Sequence, residues 1–113
     1  MADDTATLFD DIRQLLTAPR SGAQAPPLAR LEETLTAGYA RALALEAERW
    51  RIERRIGEMA TKLRDDRSDL RTDEIAALAE RLSDADGELS HLRGLLASLR
   101  TRASDLRLTE SRA

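Results

Sequence analysis

Ten side chains in the second half of the chain fall into one register: Ile75, Leu78, Leu82, Ala85, Leu89, Leu92, Leu96, Leu99, Ala103 and Leu106. The gaps between them alternate between three and four residues, and no charged residue falls on the stripe. A sustained period of 3.5 residues is the mark of a helix with a single apolar seam. Such a seam cannot stay in water, so another helix of this chain or a second chain must cover it.

A matching stripe lies upstream: Leu28, Leu31, Leu35, Gly38, Ala42, Leu45, Arg49, Ile52, Ile56, Met59 and Leu63. It has two faults. Gly38 costs a helix interior up to about 1 kcal/mol against Ala, which points to the close approach of another element. Arg49 places a charge on the seam, where its methylenes can lie along the apolar surface while its head stays wet. The spacing predicts helices over 28–66 and 73–108, a turn near 66–72, and a tail at 109–113 that frays. Ser68, Asp69 and Thr72 are candidate caps, and Asp73 and Glu74 suit the positive end of the third helix.

Charge sets the direction of pairing. An antiparallel hairpin places Glu32 opposite Arg107, Glu46 opposite Arg93, and Tyr39 opposite Arg100 as a cation–π pair. Each exposed pair is weak, but together they select direction and register. Glu53 opposite Asp86 is a flaw in this scheme. Two core registers, one heptad apart, remain open. One sets Gly38 against Leu96 and Arg49 against Ala85; the other gives Thr72 a better capping position and is preferred for that reason.

Composition narrows the class. Charged residues make up 35 % of the 113, aromatic residues 3 %, and only five Gly and three Pro are present. Long helices fit this profile better than a mixed fold. The expected fold is all-α: a long antiparallel coiled-coil hairpin over 28–108 with a short N-terminal amphipathic helix. The net charge of −3 implies neither a basic nor an acidic partner. The absence of Cys excludes disulfide and thiol chemistry. No run of about 20 apolar residues appears, so no membrane insertion is expected and a cytoplasmic location is the default. Arg outnumbers Lys 17 to 1, which a GC-rich bacterial genome accounts for.

Residues 1–18 form the N-terminal helix, with Leu8, Ile12, Leu15 and Leu16 on one face and Phe9 at its edge. So short a helix persists only if docked. Pro19, Gly22 and Pro26-Pro27 mark residues 19–27 as a linker. Tyr39, Leu43 and Trp50, joined by Leu95, form a second apolar stripe outside the main seam. Helix one, folded back antiparallel to helix two, is expected to cover it, with Leu16 near Tyr39 and Leu8 near Trp50. Otherwise this face takes another chain.

Catalytic chemistry is sparse. The chain has no Gly-rich phosphate loop, no Cys/His metal spacing and no candidate triad. The single histidine, His91, follows Glu88 in one Glu-x-x-His. Di-iron bundles use two such motifs with further Glu, all pointing inward, and a dimer of hairpins would supply two copies. Here both residues point away from the seam, which favours an ordinary solvated face. Interleaved acids among Arg100, Arg102, Arg107 and Arg112 argue against nucleic acid.

The acids Asp65, Asp66, Asp69, Asp73 and Glu74 gather at the hairpin tip. In outline, over residues 31–106, the chain resembles the transcript-cleavage factors of bacterial RNA polymerase, whose antiparallel hairpin sets tip acids beside the catalytic magnesium. The resemblance implies a factor acting on polymerase through that tip. Arg64, Arg67 and Arg71 dilute the charge, and ordinary capping acids explain the cluster more simply. The reading favoured by the residues is a non-enzymatic interaction protein: an adaptor, assembly subunit or accessory factor, with no cofactor and no small-molecule substrate. Its partner would be another protein or a second copy of itself.

Overall fold

The computed structural model describes residues 2–65 and 69–112, with side chains over 5–64 and 71–112. Three helices account for nearly all of it: α1 (Ala2–Thr17), α2 (Leu28–Asp65) and α3 (Asp69–Arg112). The helices α2 and α3 pack against each other as an all-α hairpin. The predicted turn at 66–72 is too long, since 69–72 already belong to α3. The frayed tail is also corrected, because α3 continues to Arg112.

Burial follows the heptads. On α2, Leu31, Leu35, Gly38, Ala42, Leu45, Ile52 and Met59 are buried, and on α3 so are Ala85, Leu89, Leu92, Leu96, Leu99 and Ala103. The chain divides into two compact units, one comprising 1–42 with 91–113 and the other 43–90.

The first unit holds α1, the linker, the start of α2 and the end of α3. A Cβ added at Gly38 would collide with the Leu96 side chain. Gly38 therefore faces Leu96, and the register preferred on turn chemistry is wrong by one heptad. The missing side chain at Gly38 admits a buried Leu from the opposite helix, an effect of core packing that outweighs a cap. Arg107 lies 3.5 Å from Glu32, as the charge pattern required. In the linker, Gly22 takes a φ of +89°, a region open to glycine. Its carbonyl accepts from Ala25 N–H at 3.2 Å. The Pro27 carbonyl accepts from Arg30 and Leu31, so Pro27 immediately precedes α2 and takes its first hydrogen bonds.

The second unit, Leu43–Ser90, is a helix pair. Here the two faults of the sequence pattern explain each other. Arg49 Nε donates to Glu53 Oε1 at 3.1 Å and lies 2.9 Å from Asp86 Oδ1. The seam arginine thus stands between the two carboxylates that would otherwise repel, beside the small Ala85. On the other flank of the same pair, Arg81 reaches within 4.0 Å of Glu48.

Candidate interaction surface

In the first unit, α1 is held on α3. The Phe9 ring stacks on His91, with centroids 4.9 Å apart and planes at 23°, and the Arg13 guanidinium lies 5.7 Å from the Phe9 centroid. At the other end of α1, Arg102 donates hydrogen bonds to the carbonyls of Leu16 and Ala18. The last turn of α1 has no basic residue of its own. Its free carbonyls need donors, and its negative end favours a cation; Arg102 supplies both from α3. Thr17 Oγ1 donates to the Arg13 and Gln14 carbonyls. Ile12 and Leu15 are buried, while Leu8 and Leu16 are half-buried.

Phe9 to Leu16 on α1 thus matches His91 to Arg102 on α3, so α1 runs parallel to α3 and antiparallel to α2. The expected direction holds, but the expected face does not. His91, Leu95 and Arg102 share one flank of α3 at helical spacing. Leu95 is half-buried on it, and Thr34 of α2 is buried. Tyr39 lies on the opposite flank of the seam, with Glu32, and remains 42 % exposed. Leu95 therefore belongs with α1 and not with the Tyr39 stripe. Tyr39 is also absent from the described cation–π pairs, which are Arg13–Phe9 and Arg54–Trp50.

In the second unit, Leu43 is 66 % and Trp50 59 % exposed. They sit one heptad apart on the outer side of α2, away from the seam. Ala47 lies between them, Arg54, Gly57 and Thr61 continue the same face, and all are exposed. The Arg54 guanidinium stands 5.4 Å from the Trp50 ring centroid. Exposed apolar residues are ordinary when single; here they recur at helical spacing with no charge between Leu43 and Trp50 on the stripe. Gly57 adds a further signal that the sequence reading passed over. It sits inside a helix, and nothing lies within 4 Å of where its Cβ would be, as is also the case at Gly87 and Gly94 of α3.

The other candidates are less organised. Asp66 lies outside the described residues, as do the side chains of Asp65 and Asp69, while Asp73 and Glu74 are exposed. Glu88 is half-buried, and His91 presents its ring to Phe9. Among the described residues, no group of three or more His, Asp or Glu is placed to hold a metal. No described helix is long and apolar enough to cross a membrane. A small cleft of about 120 Å³ opens in the first unit between Pro19, Pro26, Leu31, Arg102 and Leu106, less than a drug-sized ligand needs. The chain matches no protein-family model, no curated protein and no solved structure.

Proposed function

We propose that this protein is a non-enzymatic protein–protein interaction module, serving as adaptor, assembly subunit or accessory factor through the outer face of α2 in the Leu43–Ser90 unit. The observation that carries this reading is the exposure of Leu43 and Trp50 while α1, the chain's own amphipathic helix, is engaged on α3. Helix-on-helix docking reads a groove or face through residues spaced three, four and seven apart, and Leu43, Ala47 and Trp50 supply that spacing. Aromatic residues dominate the energetics of such contacts.

The test compares the native chain with Leu43→Glu/Trp50→Lys as bait in an extract of the native host. Both side chains are exposed, so helicity and melting should be unchanged. The variant should lose the proteins the native chain retains. Retention of the same set by both baits would contradict this reading.

A further inference from the structure

We propose that the partner of this face is an acidic amphipathic helix of another protein. Its apolar stripe seats on Leu43, Ala47 and Trp50, and its carboxylates gather at the end that meets Arg51, Arg54 and Arg64. This rests on the reading of the outer face of α2 as a contact surface and names the chemistry of its partner.

Within the second unit the face has two halves. The first holds Leu43, Ala44, Ala47 and Trp50, all exposed and none charged. The second carries Arg51, Arg54, Glu58 and Arg64, also exposed. That is three cations to one anion, in a chain whose net charge is −3. The charged half runs on for about 20 Å of helix.

The ion pairs deepen the imbalance. Glu58 is already shared between Arg54 at 3.6 Å and Arg55 at 3.7 Å. The acids that flank the face beside the seam are engaged as well. Glu48 lies 4.0 Å from Arg81, Glu53 accepts from Arg49, and Glu46 has a partner too. Arg51 and Arg64 are left with no ion pair among the described residues. Such a surface speeds the encounter with an acidic partner and repels a basic one.

The apolar half selects a helix from among the possible anions. A phosphate backbone would meet the cations and leave Leu43 and Ala47 wet. A helix covers both halves at once. Its apolar side chains pack over the small Ala44 and Ala47, between Leu43 and Trp50, and its next turns bring carboxylates to the arginines. Arg54, 5.4 Å from the Trp50 ring centroid, joins the two halves.

The test uses two synthetic helical peptides that lack Trp. They share an apolar stripe of Leu and Ala and differ at one end, which carries Glu in one and Lys in the other. Trp50 is the only tryptophan of the chain, so its emission reads binding to the native protein. The Glu peptide should shift that emission to the blue and saturate. It should bind about tenfold more tightly than the Lys peptide and lose this advantage at high salt. Arg51→Glu/Arg64→Glu, which leaves Arg54 over the ring, should reverse the preference at unchanged helicity. Equal binding of the two peptides overturns the acidic partner and leaves the surface reading standing. Binding of neither also overturns it; loss of host proteins by Leu43→Glu/Trp50→Lys would then keep the surface reading, with a partner of other chemistry. A blue shift that grows with the concentration of the chain alone overturns it in favour of a second copy. Tighter binding of a mixed-sequence oligonucleotide than of the Glu peptide overturns it in favour of nucleic acid.

Discussion

The two units use the same heptad and bury it to different depths. In the first, which includes α1, Ile12, Leu92 and Leu99 have no exposed surface and Leu31 has 1 %. In the second, made of α2 and α3 alone, Leu45, Ile52, Met59, Ala85 and Leu89 are buried, but toward the turn Ile56, Leu63, Ile75, Leu78 and Leu82 are only partly buried. Two helices bury a stripe; a third is needed to close over its flank. The first unit is a core in the ordinary sense. The second is a two-helix seam, with Leu43 and Trp50 exposed on its outer face.

Substitutions in matched pairs measure that difference. Leu99→Ala in the first unit should cost about 3 kcal/mol, through lost transfer energy and a cavity its neighbours cannot fill. Leu78→Ala in the second should cost about 1–2 kcal/mol, since Leu78 is only partly buried and its site stays open to water. Urea denaturation followed by helicity reads both, and equal losses would break the contrast. The glycines should differ in sign. Gly38→Ala must displace the buried Leu96 and should destabilise by about 1–2 kcal/mol. Gly57→Ala meets nothing and should stabilise the monomer by up to about 1 kcal/mol through helix propensity.

Smaller effects sharpen the account of the flanks. Arg102→Met removes the donors at the end of α1 and should cost about 1 kcal/mol. Hydrogen exchange should show faster amides across α1 and unchanged amides over 43–90. A double-mutant cycle between Arg49→Met and Asp86→Ala should give a coupling of about 0.5–1 kcal/mol that fades with salt, as the pair is half-exposed. A coupling of zero would return Arg49 to the status of a packing defect.

Much of this fold could be read from residue order because the signal was redundant. Every stripe position is an independent observation of the same period, so the helices and their pairing direction emerged together. Register rested on fewer residues. Gly38 and Arg49 marked it, one by making room for Leu96 and the other by lying beside Ala85, yet turn chemistry was given more weight than packing. The placement of α1 was the hardest to read. An amphipathic helix can lie on either flank of a hairpin, and the larger apolar residues, Tyr39 and Trp50, drew the expectation to the wrong one. The flank with Tyr39 also carries Glu32 and Arg107, paired across it at 3.5 Å, and covering it would bury charge. The other offers Thr34 and Leu95, with Arg102 placed to cap the incoming helix. The proposed interaction surface was legible in part: Leu43 and Trp50 stood out by type, and their exposure is what the structure adds.

The placement of α1 on α3 is the part of the fold that the sequence misplaced, and paired cysteines test it directly. In Phe9→Cys/His91→Cys, mild oxidation of dilute protein should form an intramolecular disulfide, because the two side chains stack in the native chain. In Leu16→Cys/Tyr39→Cys, which would join only if α1 lay on the opposite flank, no intramolecular bond should form. Crosslinking of the second pair and not the first would contradict the account.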